Sequence, residues 1–353
     1  MKKEHILVIR FSALGDVAMA VPVVWALATQ YPDIRITVLS RAFARPLFAD
    51  LAPNVNFMEA DLKHEYHGLR GLNALYRRLV AKQFTKIADL HDVIRSEYLR
   101  MRFNVGRYRV EHIRKHRKQR RQLINPKKRI RQPLPSSFMS YAEVFARLGY
   151  PIDISSFHSI FPQEGGNLNM LPAAIGPKKN FEQWIGIAPF AAHPGKVYPP
   201  TLMEQVISQL LQKYPKARIF LFGRGKDENI YFQQWTERYP QCLFVGQHCE
   251  TMYQELILMS HLDAMLSMDS ANMHLASLVA TPVVSVWGAT HPYAGFMGWN
   301  QGTENAIQVP LPCRPCSIYG QKPCRRGDYA CMNRIAPSTI VEHVVQIISN
   351  KNV

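Results

Sequence analysis

Apolar runs and helical patterns alternate along the first half of the chain. Buried strands are predicted at residues 5–11, 34–39, 55–58 and 86–90. Helices are predicted between and after them, at residues 21–29, 42–49, 72–82 and 93–103. Strands that alternate with helices indicate a parallel sheet with crossover helices.

The second half repeats this alternation more clearly. Its predicted strands are residues 184–188, 218–222, 243–245, 264–267 and 283–287, and its predicted helices are residues 202–213, 228–237, 252–259 and 272–279. The Pro-, Gly- and Asn-rich residues 161–179 predict a linker between two doubly wound domains, residues 1–165 and 180–353. Ligands of such sheets bind outside the carboxyl ends of the strands, so residues that follow strands are the candidates for chemistry.

Length and charge add to this picture. The chain has 353 residues, and a single core stops growing at roughly 250–300, which also favours two domains. Its formal net charge is +17, and residues 107–131, the basic segment, hold twelve Lys or Arg and one Glu, so +11 of the charge lies there. Such a concentration predicts a polyanionic partner, either nucleic acid, an anionic membrane surface or a phosphorylated substrate.

The sequence predicts a cytoplasmic protein. No apolar run approaches the roughly 18 residues that a membrane span needs. The first residues loosely mimic a signal peptide, but Arg10 and Asp16 interrupt the apolar region and no small-residue cleavage site follows. The six cysteines are therefore expected to be reduced.

Asp16 lies between the first predicted strand and the helix that follows it, in the run VIRFSALGDVAMAVP, residues 8–22. It has two possible roles. An aspartate at a helix start is a common N-cap. A carboxylate at the carboxyl edge of a sheet can also act as a general base, and Gly15 lets a substrate approach the backbone beside it. The two roles are compatible.

A second candidate follows the predicted strand 264–267, in the run MDSANMHLASLVATPVVSVWGATHP. Asp269 and Ser270 begin a helix, whose free N–H groups form an anion site. Ser270 adds a hydroxyl, Asp269 can accept hydrogen bonds from a sugar, and His274 lies one turn further on. A capping Asp269 and a core His274 are the alternatives, and together the residues indicate a nucleotide or phosphate ligand.

Two further loops have features that bear on nucleotide binding. Lys196, in the loop APFAAHPGKVYPP, follows a strand and has the charge to neutralise a diphosphate, with a solvated surface lysine as the alternative. The run FGRGKDEN, residues 222–229, is only GxG and so is weak evidence for NAD.

Four late cysteines follow the spacing C-x2-C-x7-C-x6-C. They are Cys313, Cys316, Cys324 and Cys331. Four thiols at this spacing suit a structural zinc ion, although the second pair is wider than in a usual zinc ribbon. Reduced thiols in a compact loop are the alternative.

These motifs, in this order, resemble glycosyltransferase family 9, the bacterial heptosyltransferases of lipopolysaccharide core synthesis. The resemblance is carried by ILVIRFSALGDVAMAVPVVWAL, the Lys196 loop, MDSANMHLASLVATPVVSVWGATHP and CRPCSIYGQKPCRRGDYACM. It implies a GT-B fold, which has two Rossmann-like domains facing a central cleft. The N-terminal domain, with the basic segment, would bind the acceptor, and the C-terminal domain would bind a nucleotide-sugar donor.

The resemblance also implies an inverting reaction that needs no cofactor or divalent metal. Asp16 matches the catalytic base and Lys196 the lysine that binds the diphosphate. The donor-binding set is completed by Gly15, Asp269, Ser270, Ala271 and His274. The sequence departs from the family pattern at two places. Ala191 and Ala192 stand where Thr or Ser is frequent, and Asp227 or Glu228 would have to serve as the acid that holds the ribose.

The implied partners are an ADP-heptose-like donor and phosphorylated lipid A or the growing core as acceptor. The basic segment adds a peripheral contact with the anionic inner face of the cytoplasmic membrane. A monomer that binds no nucleic acid is expected. The rival hypotheses are a nucleic-acid-binding protein, which the single aromatic Tyr108 in the basic segment disfavours, and an NAD-dependent oxidoreductase, which the missing GxGxxG disfavours.

Overall fold

The computed structural model describes residues 4–351 and divides into two compact α/β units. Unit 1 comprises Met1–Lys115 and Pro135–Ile160, and unit 2 comprises His116–Leu134 and Phe161–Val353. The change of unit at residue 161 coincides with the start of the predicted linker. The basic segment was expected in the first domain, but the structure divides it, and its residues from His116 onward pack with unit 2.

Unit 1 is built on a five-stranded parallel sheet in the order β3-β2-β1-β4-β5. The strands are β1 (His5–Ile9), β2 (Arg35–Ser40), β3 (Val55–Glu59), β4 (Lys86–Asp89) and β5 (Arg109–His112). The register pairs Ile6 of β1 with Ile36 of β2 and Lys86 of β4. The sequence missed β5, because it lies in the basic segment and has no buried side chain. All of β1 is buried, as expected for a central strand covered on both faces.

The helices of unit 1 cover this sheet. They are α1 (Leu14–Ala18), α2 (Val21–Gln30), α3 (Arg45–Phe48), α4 (Gly68–Val80), α5 (Ile94–Val105) and α7 (Ser137–Arg147), with α6 (Arg117–Leu123) lying in unit 2. The predicted helix 42–49 is split into a 3-10 turn, Ala42–Ala44, and α3, because Pro46 fits the start of a helix and not its interior. Helix α7 is capped by Ser136, whose Oγ accepts a hydrogen bond from the Met139 N–H at 3.2 Å.

Unit 2 has a six-stranded parallel sheet in the order β11-β10-β9-β6-β7-β8. The strands are β6 (Trp184–Ala188), β7 (Arg218–Leu221), β8 (Cys242–Phe244), β9 (Ala264–Met268), β10 (Val283–Val286) and β11 (Ala306–Ile307). Its further helices are α8 (Pro200–Lys213), α9 (Lys226–Arg238), α10 (Met252–Ser260), α11 (Ala271–Leu278), α12 (Ala330–Asn333) and α13 (Pro337–Lys351). The predicted pair of doubly wound α/β units is therefore confirmed.

The strand order fixes where each unit can bind a ligand. In unit 1 the order reverses between β1 and β4, and in unit 2 it reverses between β6 and β9. The loops that leave the carboxyl ends of two such strands diverge to opposite faces of the sheet, and the crevice between them is the usual ligand position of an open α/β sheet. Among residues 4–351, no helix combines the length and the apolar character that a bilayer crossing requires.

Candidate functional site

The site of unit 1 forms where β1 and β4 end side by side. Arg10 and Asp16 follow β1, and His91 follows β4. Parallel neighbours end at the same edge of a sheet, so residues 80 positions apart in sequence come into contact here. This edge is the first of the two reversal points in strand order.

Arg10 and Asp16 form an ion pair at this edge. The distance from Arg10 Nη2 to Asp16 Oδ2 is 2.7 Å, and the two side chains are 7% and 30% exposed. Arg10 also donates through Nη1 to the Leu90 carbonyl at 2.7 Å, and its guanidinium lies 5.9 Å from the centre of the Tyr141 ring. The buried guanidinium is thus held from several sides, and it fixes the orientation of a carboxylate that solvent still reaches.

The structure also corrects the capping role of Asp16. The N-cap of α1 is Ala13, and Asp16 is the third residue of that helix. Its Oδ2 accepts a hydrogen bond from the Ala13 N–H at 3.3 Å, so it supports the first turn from inside the helix. The Asp16 carbonyl accepts a hydrogen bond from Tyr141 Oη at 3.2 Å. Gly15 lies within the same short helix.

His91 is a component of this site that sequence reasoning missed. Its Nδ1 accepts from the Phe11 N–H at 3.4 Å, and its Nε2 lies 3.5 Å from Ser12 Oγ. Burial, with a smaller effect from the neighbouring Arg10 charge, lowers the pKa of His91 to about 3. The ring is therefore neutral at physiological pH. A histidine directly after a predicted strand, in the run DLHD, is the signal that could have revealed it.

A buried carboxylate fixes the loop that carries His91. Asp89 is fully buried, and its Oδ1 accepts from the N–H groups of His91 and Asp92 at 2.9 and 3.1 Å. Its other oxygen pairs with Arg100 Nη1 at 3.0 Å. A buried carboxylate is tolerated when its oxygens are paired in this way, and here the pairing makes the loop rigid.

The site of unit 2 forms in the same way where β6 and β9 end together. Lys196 lies in the loop after β6, and Asp269 follows β9 directly. Lys196 Nζ is 2.8 Å from Asp269 Oδ2, and the side chains are 15% and 5% exposed. Thr290 Oγ1 donates to the same Oδ2 at 2.7 Å. Lys196 is thus not a solvated surface lysine, since it is held by a buried carboxylate.

Helix α11 begins immediately after Asp269. Ser270 is its N-cap position, but the Ser270 hydroxyl lies 3.2 Å from Ser267 Oγ and makes no capping hydrogen bond to the helix. The first N–H groups of α11, beginning with Ala271, are therefore not satisfied by that side chain, which suits an anion. His274 is buried on α11 at 6% exposure, which agrees with the core alternative for this residue.

The two acids that could hold the ribose, Asp227 and Glu228, have different surroundings in the structure. Glu228 Oε2 accepts a hydrogen bond from the Gly225 N–H at 2.9 Å and so supports the start of its own helix, α9. Arg224 donates through Nε to Glu255 Oε1 at 2.8 Å. Asp227 is exposed in the first turn of α9. Of the two acids, Asp227 has the more accessible side chain.

The four late cysteines line one small cavity of about 80 Å³ in unit 2. All four are free thiols, and burial raises the pKa of Cys331 to about 11. Cationic side chains, including Arg129 and Arg314, share the cavity wall. Within residues 4–351 the structure gathers no group of three or more His, Cys, Asp or Glu side chains that could hold a metal ion. The predicted zinc alternative thus has no ready set of ligands there.

The second part of the basic segment is docked onto unit 2. Arg120 Nη1 donates to Tyr319 Oη at 2.7 Å, and its guanidinium lies 4.9 Å from the centre of the Phe296 ring. Arg129 Nη1 donates to the carbonyls of Pro312 and Arg314, each at 2.5 Å. Six other cations of this part have exposed side chains, namely Arg117, Lys118, Arg121, Lys127, Lys128 and Arg131.

Comparison with known proteins agrees with this architecture. Residues 72–328 match the family model described as glycosyltransferase family 9 (heptosyltransferase). The lipopolysaccharide core heptosyltransferase OpsX of Haemophilus influenzae is 23% identical over 306 residues, which are 82% of this chain and 80% of OpsX.

Two solved structures from Escherichia coli share the fold. ADP-heptose lipopolysaccharide heptosyltransferase II has a TM-score of 0.67 at 18% identity, covering 99% of this chain and 100% of that chain. Heptosyltransferase WaaC, solved with ADP, has a TM-score of 0.65 at 15% identity, covering 97% and 99%. The likeness spans both α/β units, so the GT-B fold class expected from the sequence is confirmed.

Proposed function

This chain belongs to glycosyltransferase family 9, the heptosyltransferase family, and on that premise we propose that it moves a heptose from a nucleotide-diphosphate sugar to the inner core of lipopolysaccharide. The family predicted from the sequence motifs is confirmed, and with it the assignment as a glycosyltransferase.

The proposed donor is ADP-heptose. ADP is named with one related structure and ADP-heptose with another, and the lipopolysaccharide core is named with the curated relative. In unit 2, Lys196 and the start of α11 offer a cation and free N–H groups for a diphosphate. The observation that carries the proposal is that this arrangement lies at the reversal point in strand order, where open α/β sheets bind nucleotides.

Asp16 is the proposed general base. Its carboxylate accepts the proton of the acceptor hydroxyl while that oxygen forms a bond to the anomeric carbon of the heptose. The bond from this carbon to the diphosphate oxygen breaks, and the anomeric configuration inverts. The transition state has oxocarbenium character, as in the related hydrolysis of glycosides. A positioned base contributes roughly 10²- to 10⁴-fold, and Arg10 provides the positioning.

Negative charge develops on the departing nucleoside diphosphate. Lys196 and the first N–H groups of α11 stabilise it in the proposed reaction, with no divalent metal. The Asp269 carboxylate holds the ammonium in place before the donor arrives, so little reorganisation is needed. We therefore expect full turnover in EDTA. Loss of turnover that magnesium restores would contradict this part of the proposal.

The proposed acceptor is the phosphorylated lipid A core at the inner face of the cytoplasmic membrane. The exposed cations of the basic segment support it, because each Lys or Arg near an anionic surface contributes about 1 kcal/mol. Peripheral attachment, action as a monomer and the absence of nucleic-acid binding stay predictions.

A thermal-shift panel tests the donor assignment. The purified protein is melted with ADP-, UDP- and GDP-sugars and with NAD, because specific binding stabilises the folded state by mass action. ADP-heptose is expected to raise the melting temperature most. A larger shift with NAD than with any nucleotide sugar would overturn the proposal.

A further inference from the structure

Residues 313–331, which carry the four late cysteines and are called the cysteine segment, are not used by the proposed reaction, yet they pack against the donor site. We call residues 287–290, which follow β10, the clamp loop. The N–H groups of Cys316 and Ser317 both donate to the Ala289 carbonyl of this loop, at 3.0 and 3.2 Å. Thr290, the last residue of the clamp loop, is the residue that bonds Asp269.

Arg314 is the main connection between the cysteine segment and the clamp loop. It is 4% exposed, and it donates to three carbonyls of the loop: Gly288 at 2.5 Å, Trp287 at 3.0 Å and Thr290 at 3.0 Å. It also donates to the Val309 carbonyl at 2.8 Å. Burial lowers the pKa of Arg314 to about 10, so the guanidinium is still charged at neutral pH.

A buried cation that binds carbonyl oxygens is costly, because neutral oxygens compensate only part of the lost hydration. The contacts of Arg314 fix the backbone of the clamp loop. Every carbonyl that it reaches there belongs to Thr290 or to a residue within three positions of it. The arrangement therefore holds the Thr290 hydroxyl in one position.

The Thr290 hydroxyl connects the clamp loop to Lys196 through Asp269. Thr290 is fully buried, and its Oγ1 donates at 2.7 Å to the Asp269 oxygen that also lies 2.8 Å from Lys196 Nζ. The carboxylate is thus held by one neutral donor and one cation. Without the hydroxyl, only the ammonium would orient the carboxylate, and the pair could rotate together.

Three glycines let the cysteine segment and the clamp loop pack closely against the loop that carries Lys196. Gly320 of the cysteine segment has a left-handed backbone with φ +83°, and a Cβ there would lie 2.7 Å from Lys196 Cγ. A Cβ at Gly288 would lie 2.4 Å from the Gly195 carbonyl oxygen, and one at Gly195 would lie 2.9 Å from Ala289 Cβ. The cysteine segment therefore lies against the stem of Lys196, and the clamp loop packs against the neighbouring Gly195.

We propose that Arg314 is a positioning residue for the donor site, acting through Thr290 and Asp269 on the ammonium of Lys196. The inference rests on the proposed function for the meaning of that position, namely the binding of a nucleoside diphosphate. Its structural content, which is the order of the Lys196 side chain, can be tested independently.

The experiment compares Arg314→Lys and Thr290→Val with wild type, with Thr290→Ser as the rescue variant and Arg326→Gln as the matched control. Arg326 is an exposed arginine of the same segment that pairs with Asp328 at 2.9 Å. Three quantities are measured: the rate at which an amine-reactive acetylating reagent labels Lys196, by peptide mass spectrometry; the Kd for ADP; and the KM values for donor and acceptor.

In Arg314→Lys and Thr290→Val we expect the reagent to label Lys196 several-fold faster than in wild type. The Kd for ADP and the KM for the donor should rise by up to about tenfold, the scale of one lost hydrogen bond. The acceptor KM is expected to stay within about twofold, and Thr290→Ser and Arg326→Gln to resemble wild type. Should Arg314→Lys not fold, Thr290→Val breaks the same chain of contacts.

A merely structural Arg314 would lower the melting temperature of a folded variant and leave Lys196 labelling unchanged. Unchanged labelling in either folded variant would overturn the inference. If labelling increases as expected but wild type binds no ADP, the positioning inference stands and the proposed donor is wrong.

Discussion

The sites of the two units are built alike and present opposite charges. Each lies at the reversal point of a parallel sheet and holds one ion pair, at 2.7 Å in unit 1 and 2.8 Å in unit 2. In unit 1 the cation, Arg10, is buried and Asp16 is 30% exposed. In unit 2 the carboxylate, Asp269, is 5% exposed and Lys196 is 15% exposed.

The difference suits the two units to different roles in the proposed reaction. The buried partner of each pair is fixed by further hydrogen bonds, to the Leu90 carbonyl in unit 1 and from Thr290 in unit 2. The more exposed partner is the group available to a substrate. In the proposed reaction, unit 1 therefore offers an acceptor for a proton, and unit 2 offers a cation for a diphosphate.

The largest expected effect comes from Asp16→Asn, which removes the proton acceptor of unit 1. Asparagine keeps the size of the side chain, so the fold and the donor affinity should be retained, and turnover should fall by roughly 10²- to 10⁴-fold. Steady-state transfer and a melting curve check this. Asp153→Asn, at an exposed aspartate of the same unit, is the control and should behave as wild type.

Lys196→Met tests the cation of unit 2. Turnover is expected to fall by about 10²- to 10³-fold, as when one transition-state charge partner is lost. The variant also leaves Asp269 buried without its cation, so the free energy of unfolding should fall by about 3–5 kcal/mol.

A matched control separates these two effects of Lys196→Met. Lys178 pairs with Asp263 at 2.7 Å, just before β9 and so at the opposite end of that strand from Asp269. Lys178→Met should cost stability and leave turnover per folded molecule unchanged. An equal loss of turnover in both variants would mean that Lys196 has only a structural role.

The basic segment should contribute to surface binding only through its exposed cations. Neutralising Lys118, Arg121, Lys127 and Lys128 to Gln is expected to weaken binding to phosphatidylglycerol vesicles by at least about tenfold and to leave ADP affinity unchanged. Salt should mimic the change, because exposed charges are screened over about 8–10 Å.

The control removes the same charge from elsewhere in the chain, through Lys63, Arg70, Arg77 and Lys82, which are exposed in or near α4. Equal loss of vesicle binding in both variants would indicate a response to net charge alone. The engaged residues Lys115 and Arg120 are left intact, because Lys115 Nζ donates to the Asp92 carbonyl at 2.7 Å and Arg120 binds Tyr319.

The smallest expected effect concerns acid stability and His91. Its pKa is about 3 in the folded protein, below the ordinary value of 6.5, so the unfolded chain takes up the proton first as pH falls. Stability is therefore lost progressively below pH 6.5. His91→Gln should lose less stability than wild type between pH 7.5 and pH 5, by about 1–2 kcal/mol. Equal losses in urea unfolding at the two pH values would contradict the neutral buried ring.

The sequence predicts the charged residues that directly follow recognisable strands. It does not predict the contacts that arise only from the order of the strands in the sheet. Asp16, Lys196 and Asp269 each follow a strand that apolar patterning reveals. Arg10 was noticed only as an interruption of an apolar run. Alternation of strands and helices does not say that β1 lies beside β4, and that neighbourhood is what joins Arg10 to Leu90 across 80 residues.

The same limit applies to unit 2 and to the basic segment. Thr290 and Arg314 act through backbone carbonyls and a single hydroxyl, which leave no periodic signal in the sequence. Charge density alone does not distinguish one part of residues 107–131 from another. In the structure, residues 109–112 form an edge strand, and Arg129 binds the Arg314 carbonyl in unit 2. Those outcomes depend on contacts made far along the chain.

Single-turnover sugar transfer by Asp16→Asn, measured beside wild type with saturating donor and acceptor, tests most directly that unit 1 presents a proton acceptor. Asparagine keeps the size of the side chain but cannot take up the proton of the acceptor hydroxyl. His91, with its pKa of about 3, is too weak a base to replace the carboxylate. We predict that a folded Asp16→Asn transfers the sugar roughly 10²- to 10⁴-fold more slowly than wild type. A folded Asp16→Asn that retains the wild-type rate would contradict this role of unit 1.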